Sequence, residues 1–423
     1  MLIRCYSHLP EMRSLFSLSL LCFFLADVRD GLGPFFGVYL QSCGWSADSI
    51  GYVMTAGSLA GLFVSTFAGA LADQTRHKRA YLFLCIVLIV AGCAWLFVRS
   101  DFLSAALTML IQGIAGAAIA PLITNITLGL VSEEKLPMRL GVNEAFNHAG
   151  NMMSALIGGL VGYFYGIVGV FFVMTAMGVL SLWALGGINP RDIDYERARG
   201  KTHETAVRFS EVLRNPSLLL VSATLFLFHL GNAAMLPLLG QSAVARFDVN
   251  PAAYTAATVV LAQATMILMA IGAARLAQKR GYALLFILAL VALPIRGCIA
   301  GVWDSPWSIV PVQILDGVGA GLLGVATPGI VAWLLKGSGH TNMGLGFVLT
   351  IQGLGAALSN SYGGYFAHHI SYSGAFFALG VAALFGLVLF VAFRRKMSSM
   401  EKAVVSKSDF KSTVKICSPT VGK

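Results

Sequence analysis

The stretch GVNEAFNHAGNMMSALIGG, residues 141–159, returns in outline as GFVLTIQGLGAALSNSYGG, residues 346–364. The glycines that repeat about 205 positions apart are Gly141, Gly150, Gly158 and Gly159 in the first copy and Gly346, Gly355, Gly363 and Gly364 in the second. Pro34 and Pro237 form another pair at a similar spacing. The chain therefore has two similar halves, an organisation common in secondary transporters, whose substrate site lies between the repeats near the bilayer midplane.

The composition points to a membrane protein. Hydrophobic residues make up 57% of the 423 residues, charged residues make up 11%, and the mean hydropathy is +0.78. Twelve apolar runs are each long enough to cross a hydrocarbon core of about 30 Å, which takes about 20 helical residues. They lie at 14–40, 48–72, 80–98, 102–131, 138–165, 167–187, 217–240, 252–274, 282–303, 307–335, 343–367 and 373–393. The predicted fold is an all-α membrane protein with twelve transmembrane helices in two pseudo-symmetric six-helix bundles.

The same pattern predicts the domain boundaries. We expect an N-terminal six-helix bundle over 1–189, a cytoplasmic linker over 190–216, a C-terminal six-helix bundle over 217–396, and a basic tail over 397–423 without stable structure. The linker and the tail are the only long charged segments. A separate soluble domain is not expected.

The net charge of +10 is distributed unevenly between the two sides of the predicted membrane. By alternate assignment of the loops, 25 of the 29 Lys and Arg residues lie on the side that carries both termini. The positive-inside rule then places both termini in the cytoplasm, and we expect a bacterial inner-membrane location. The basic tail is attributed to this topology and to anionic lipid, so the lipid bilayer is an expected partner and nucleic acid is not.

Ionisable residues inside the apolar runs are the strongest chemical signal, because a charge at the bilayer centre costs about 2.5 to 3.5 kcal/mol on insertion scales. The six candidates are Asp27, Arg29, Asp30, Glu144, Arg296 and Asp316. Asp27 and Asp30 are three residues apart and share a helix face. Pro34 also frees the carbonyl of Asp30 from its helical hydrogen bond. This segment is the first choice for proton binding, with Asp30 as the main carrier.

The fifth run carries a polar stripe, Glu144, Asn147, His148 and Asn151, at the i, i+3, i+4, i+7 spacing of one helix face. On a membrane helix such a face turns inward. One interpretation is the wall of a water-filled cavity in which Glu144 and His148 exchange protons. The alternative is a fixed seam of hydrogen bonds between helices.

Further polar residues in the runs are candidates for the substrate cavity. The full set is Arg29, Asn147, Asn151, His229, Asn232, Arg296, Asp316, Gln313 and Gln352, and Gln112, Asn125 and Asn360 are equally plausible lining residues. Two alternatives remain open. The first is that His229 is a packing residue and not a cavity residue. The second is that Arg296 and Asp316 form an ion pair that only neutralises both charges.

Three sequence elements carry a resemblance to a known family. The segment from Gly69 to Arg79, GALADQTRHKR, resembles the G-x-L-A-D-x-x-G-R-K loop of the major facilitator superfamily, with Arg76 in place of the second glycine. The four glycines of residues 141–159 have the spacing of that family's antiporter signature, with Ser154 and Ala155 where the signature has Gly-Pro. Residues 30–33, DGLG, are similar to a segment of proton-coupled drug exporters.

The resemblance implies a proton-coupled exporter of a small organic solute that works by alternating access as a monomer. It implies a cytoplasmic gate formed by Gly69, Asp73, Lys78 and Arg79, and helix packing at Gly141, Gly150, Gly158 and Gly159. A proton symporter that imports a metabolite is the alternative. A membrane-embedded enzyme is a third class, but no reactive motif such as H-E-x-x-H supports it. No ATP-binding loop, cofactor motif or metal-ligand spacing is recognised, so neither cofactor nor metal is expected.

Overall fold

The computed structural model describes residues 10–29, 32–132, 135–196, 215–335 and 341–393. Within these ranges the chain forms α-helices and two short 3-10 helices, and no strands. Most of the predicted linker and the whole predicted tail lie outside the described residues. The chain is therefore an all-α protein over the part that the structure describes, as the sequence predicts.

The helices of the first half are α1 (Pro10–Arg29), α2 (Pro34–Ser42), α3 (Ala47–Gln74), α4 (Lys78–Val98), α5 (Phe102–Leu130), α6 (Leu136–Tyr165) and α7 (Gly169–Gly186). Those of the second half are α8 (Pro216–Asn232), α9 (Met235–Arg246), α10 (Pro251–Arg280), α11 (Tyr282–Val302), α12 (Ile309–Leu334), α13 (Thr341–His369) and α14 (Tyr372–Phe393). The 3-10 helices are Pro190–Asp192 and Pro306–Ser308.

The repeat seen in the sequence is also visible in the helix boundaries. Helices α4 and α11 are both 21 residues long and begin about 205 residues apart. The first helix of each half is interrupted near its middle, between α1 and α2 and between α8 and α9. A proline lies in the first turn of each second piece, Pro34 in α2 and Pro237 in α9. Because proline lacks an N–H, it cannot bond the carbonyl of the preceding turn, and the helix breaks there.

Nine helices in the described residues are long and apolar enough to cross a membrane. They correspond to nine of the twelve predicted runs. The other three predicted runs coincide with the interrupted pair α1 and α2 and with α6 and α13. Both α6 and α13 are long helices with several polar residues, among them Glu144 and His148 in α6. The polar spans are thus an equivalent pair in the two halves.

Buried apolar residues form two clusters, one for each half. The first is drawn from residues 18–193 and the second from residues 218–390. Each cluster also takes a few residues from the other half: Ala252 and Ala256 join the first, and Ala47 joins the second. The two halves therefore have separate cores that meet along a narrow seam.

Contacts between helix ends define two faces of the molecule. On the terminal face, where α1 begins, Arg139 at the start of α6 donates hydrogen bonds to the carbonyl of Leu15 (2.9 Å) and to Ser19 Oγ (2.8 Å). On the opposite face, the hydroxyl of Tyr372 at the start of α14 donates to Gln41 Oε1 at the end of α2 (3.1 Å). The names terminal face and opposite face are kept below.

The two halves meet closely in the part of the molecule nearer the opposite face. Thr55 Oγ1 donates to the carbonyl of Ala357 (2.8 Å), and Ser361 Oγ donates to Thr55 Oγ1 (2.8 Å). The backbones approach so closely that a Cβ built on Gly51 would lie 2.3 Å from the carbonyl oxygen of Asn360. Helices α3 and α13 are thus joined across the two bundles without room for a side chain at this point.

The same seam continues between α6 and α10. A Cβ on Gly159 would lie 2.3 Å from the Cβ of Ala256, and one on Gly162 would lie 2.2 Å from the Cβ of Ala252. Towards the terminal face the packing is looser. A built Cβ has no neighbour within 4 Å there at Gly69, Gly141, Gly186, Gly272, Gly324 and Gly346, and at the opposite face at the turn glycines Gly44 and Gly166, whose φ is positive. The described residues therefore adopt a form that is closed at the opposite face.

Candidate functional site

A cavity with a volume of about 660 Å³ lies between the two halves. Helices α1, α2, α3 and α5 line it from the first half, and α9 and α13 from the second. Its polar lining residues are Arg29, Ser58, Ser65, Gln112 and Asn360, and the rest of its described lining is glycine or apolar. A concave, mostly apolar pocket with a few converging polar groups is the usual form of a small-molecule site.

The two helix breaks border this cavity from opposite sides. Arg29, Gly33 and Pro34 line it at the break between α1 and α2, and Ala233 and Pro237 line it at the break between α8 and α9. Gly33 has a φ of 49°, a left-handed conformation that glycine adopts without strain. An interrupted helix leaves backbone N–H and C=O groups without intrahelical partners. In transporters such breaks at mid-membrane supply backbone groups to substrates and coupling ions.

A second, smaller cavity of about 90 Å³ lies within the first half between α1, α5 and α6. Arg29, Glu144 and Asn147 line it, and Arg29 also lines the larger cavity. Arg29 at the end of α1 therefore borders both spaces. Glu144 in the smaller cavity and a substrate in the larger cavity can therefore both influence Arg29.

The polar stripe of α6 is only partly brought to the cavities. Asn147 Nδ2 lies 3.5 Å from Glu144 Oε2, which is the outer limit of a hydrogen bond, and the Glu144 side chain is exposed. His148 and Asn151 are half-buried and line neither cavity. Of the four residues, Glu144 and Asn147 are thus the pair that shares a space with Arg29.

Of the two acids in the first span, the structure describes Asp27 only. Asp27 is half-buried in α1 and lines neither cavity, although it has an interaction partner in the protein. Asp30, the first choice from the sequence as proton carrier, lies outside the described residues, as does Gly31. The proton-coupling role of these acids stays a prediction.

The buried charges of the second half form one network. Arg296 in α11 has a fully buried side chain, and its Nη1 lies 2.8 Å from Asp316 Oδ1 in α12. Nη1 also donates to Asn232 Oδ1 (2.7 Å), and Nη2 donates to Gln313 Oε1 (3.2 Å). Asn232 is the last residue of α8, so the network fixes the helix end that precedes the break.

This network does not line the 660 Å³ cavity. Four residues expected from the sequence to line the substrate cavity are thus brought together, but within the second bundle. Arg296 and Asp316 form an ion pair, which is the alternative that the sequence left open for these two residues. Arg29 is therefore the charged residue that the described lining of the larger cavity offers to a solute.

We expect Arg296→Met to lower the free energy of unfolding by about 3 to 5 kcal/mol, because it leaves Asp316 without its buried partner. The double variant Arg296→Met, Asp316→Leu removes both charges and is expected to recover most of this loss. The exposed pair of Arg76 and Glu196 is the control, because Arg76→Met is expected to cost about 0 to 1 kcal/mol. SDS-induced unfolding in detergent micelles measures all three. A loss for Arg296→Met no larger than that for Arg76→Met contradicts the expectation.

Two further cavity candidates lie near the site without lining it. His229 is half-buried in α8, and its ring packs against Phe228 with the centroids 5.2 Å apart. Gln352 is half-buried in α13 and precedes Gly353, which lines the larger cavity. The role of both in substrate binding stays a prediction.

The candidate gate residues cluster at the terminal face. Lys78 is buried at the start of α4, and its Nζ donates a hydrogen bond to the carbonyl of Ala72 in the last turn of α3. Arg79 Nη2 donates to the carbonyl of Leu185 near the end of α7 (3.1 Å). Cations at the carbonyl ends of helices satisfy unpaired acceptors and complement the helix dipole. These contacts hold α4 against two helices of its own bundle.

The other two candidate gate residues are less informative. Gly69 has no neighbour within 4 Å of a built Cβ, so the form described leaves space around it. The backbone of Asp73 belongs to α3, but its side chain lies outside the described residues. The gating role of these residues remains a prediction.

The four glycines of α6 serve different contacts. A Cβ on Gly150 would lie 2.0 Å from the carbonyl oxygen of Phe23 in α1, and Gly159 meets α10 across the seam. Around Gly158 the nearest atom would be 3.7 Å away, an ordinary contact distance, and nothing lies within 4 Å of a Cβ on Gly141. Close helix approach therefore occurs at Gly150 and Gly159 in this form.

The sequence reasoning missed the part that α3 plays in the site. Gly57, Ser58, Gly61 and Ser65 of this helix line the larger cavity. A signal was present, because small residues at positions 57, 61 and 65 recur every four residues along one helix face. Such a face permits close packing as well as a cavity wall, and a Cβ on Gly57 would in fact lie 2.5 Å from the carbonyl oxygen of Met109.

Comparison with known proteins identifies the family. The family model of the Major Facilitator Superfamily matches residues 18–338. The chain belongs to this family. It is also 37% identical over 382 residues to uncharacterized MFS-type transporters of Mycobacterium tuberculosis strains H37Rv and CDC 1551, a match that covers 89% of this chain and 91% of theirs. Chain and relatives are membrane transporters rather than enzymes.

Solved structures show the same fold at low sequence identity. A mutant of the nucleoside transporter NupG is 15% identical with a TM-score of 0.73, over 90% of this chain and 99% of the other. A mutant of the peptide transporter POT is 14% identical with a TM-score of 0.74, over 92% and 95%. At this identity the likeness extends to the fold alone. The chain is thus a multi-pass membrane transporter of the Major Facilitator Superfamily.

Proposed function

We propose that this transporter exports a small organic solute in exchange for protons, by alternating access of the cavity between its two halves. The observation that carries the proposal is the position of Arg29, which borders both the 660 Å³ cavity and the smaller space lined by Glu144. A solute at Arg29 and a proton at Glu144 are thus neighbours. Their binding free energies can depend on each other.

Competition is the simplest way to couple the two. A solute that extends from the larger cavity past Arg29 can place a donor or cationic group at an ionised Glu144, while Arg29 and Gln112 hold its acceptor groups. Protonation of Glu144 removes its charge and weakens the solute contact. A proton that enters from the opposite face then favours solute release there. Asp30, Asp27 and His148 are further groups of this kind, and we propose them as alternative proton sites.

The direction of the cycle rests on orientation. The excess of Lys and Arg on the terminal face supports a cytoplasmic position for both termini in a bacterial inner membrane. The form described is closed at the opposite face, which corresponds to the state that takes up a solute from the cytoplasm. The glycine spacing of α6, similar to that of antiporters, supports exchange over symport. The cycle needs one chain, because both halves of the cavity come from the same polypeptide.

The test uses everted membrane vesicles, whose lumen is acidified by respiration. Comparison of exported metabolites from cells with and without the gene supplies the candidate solute. We expect the vesicles to accumulate this solute, by about tenfold per pH unit for one-to-one exchange. Protease added outside the vesicles should remove the C-terminal tail, because everted vesicles expose the cytoplasmic side of the membrane. Accumulation driven instead by an alkaline lumen identifies the symporter alternative and contradicts the proposal.

A further inference from the structure

Three potential metal ligands meet on the opposite face, outside the cavity. One oxygen of Asp48 and one ring nitrogen each of His368 and His369 all lie within 4.8 Å of one another, a group found among the described residues. Asp48 is the second residue of α3, and the histidines are the last two residues of α13. The group therefore joins the first half to the second. About 320 residues separate its two parts in the sequence.

We propose that Asp48, His368 and His369 bind a divalent transition-metal ion, for which Zn²⁺ is the reference, and that the ion clamps the two halves at the opposite face. Two imidazoles and one carboxylate form a ligand set suited to zinc, whereas calcium and magnesium prefer oxygen ligands alone. Three protein ligands leave a fourth tetrahedral position for water.

The geometry requires only small adjustments. His368 Nδ1 lies 3.9 Å from Asp48 Oδ1. Bonds of 2.0 to 2.1 Å in a tetrahedral site bring two ligand atoms to about 3.3 Å from each other. The side chain of His368 is 46% exposed, and His369 is also exposed. The His369 ring packs against Tyr365 with the centroids 4.4 Å apart and against His368 at 4.8 Å, so metal binding requires these rings to adjust their contacts.

Asp48 is already oriented for such a role. Its side chain is only 17% exposed, and the backbone N–H of Ser49 donates a hydrogen bond to Asp48 Oδ1 (2.8 Å). A second interaction that fixes a carboxylate is typical of metal ligands. Next to it, a Cβ on Gly364 would lie 2.4 Å from the carbonyl oxygen of Ala47, so the two helices are in backbone contact at this point. The ligands therefore come from rigid, adjoining segments.

A metal ion at this position acts on the conformational equilibrium. Its ligands come from both halves, so they are together only while the opposite face is closed. An ion present at 100 times its dissociation constant favours the closed form about a hundredfold. The bound ion would slow the opening of the opposite face. This inference rests on the observed seam and not on the proposed solute, direction or proton coupling.

The experiment measures Zn²⁺ binding to the purified full-length protein in detergent by isothermal titration calorimetry. We expect saturable binding at one ion per chain. We expect Asp48→Asn, His368→Gln and His369→Gln each to weaken it by at least about tenfold, the lower end of the effect of losing a supporting ligand. The exposed opposite-face acid Asp304→Asn and the exposed His77→Gln are matched controls that should bind as the parent does.

Spin labels across the opposite face measure the clamp itself. In the parent, Zn²⁺ should increase the fraction of molecules with the short distance between the halves, and it should not do so in His368→Gln. If Asp48→Asn does not fold, the two exposed histidine variants decide the question. Absence of saturable binding, equal binding by all variants, or binding without any change in the distance distribution would each overturn the proposal. None of these readouts depends on transport.

Discussion

We expect Gly51→Ala to reduce transport at least tenfold, because the added methyl group collides with the carbonyl of Asn360 across the seam. The built Cβ lies 2.3 Å from that oxygen, and the obstacle is backbone rather than a flexible side chain. Overpacking of this kind costs about 1 to 3 kcal/mol. The cost falls only on the form closed at the opposite face, so the equilibrium shifts about 5- to 150-fold towards the form that is open there.

Two measurements separate this effect from simple misfolding. Transport in everted vesicles should fall, while distances between spin labels at Ser100 and Ser305, one on each half at the opposite face, should lengthen. Gly346→Ala is the matched control: it adds the same methyl group where nothing lies within 4 Å, and alanine is more favourable than glycine in a helix by about 1 kcal/mol. Equal activity of the two variants would show that the seam does not open during transport.

The fold could be predicted in detail because it depends on local signals. The repeat of four glycines and the twelve apolar runs indicate two similar halves and the approximate helix positions before any contact is known. The helix boundaries agree with the predicted runs because the lipid demands apolar segments of a set length. The interruptions of the first helix of each half were not predicted, since 14–40 and 217–240 are each a single apolar run, although Pro34 and Pro237 lie in the first turns of the second pieces.

The candidate site was less predictable, because it depends on how each helix is rotated about its axis. The sequence placed Arg296, Asp316, Asn232 and Gln313 inside the membrane but could not decide whether they face a solute or each other. The structure places them together in the second bundle. Arg29, by contrast, lines the cavity. Periodicity shows which residues share a face, but packing of several helices decides what that face meets.

Contacts between distant segments were beyond the reach of the sequence. The histidine pair at the end of α13 has no metal-ligand spacing, because its third partner, Asp48, belongs to the other half of the chain. The two segments meet only because α3 and α13 cross at the seam. The same holds for Gly51 and Asn360, whose close approach has no counterpart in any local pattern.

We expect Glu144→Gln to abolish proton-driven accumulation while leaving exchange of solute for solute largely intact. Glutamine keeps the size and the hydrogen-bonding ability of the side chain, so the contact with Asn147 and the space shared with Arg29 are preserved. It cannot take up or release a proton. A transporter that no longer titrates has no reason to follow the pH gradient, whereas its cavity still binds and releases the solute.

The assay compares accumulation in everted vesicles with counterflow in vesicles preloaded with solute and held at equal pH on both sides. Asn147→Ser is the matched control, because it changes the neighbouring group on the same helix face without removing an ionisable one, and it should keep coupling. Asp30→Asn and the double variant Asp27→Asn, Asp30→Asn belong in the same series, since two acids this close can titrate as a unit. If Glu144→Gln still accumulates the solute as the parent does while the double variant fails, the proton passes through the first span, where Asp30 adjoins Arg29, and Glu144 serves only to line the smaller cavity.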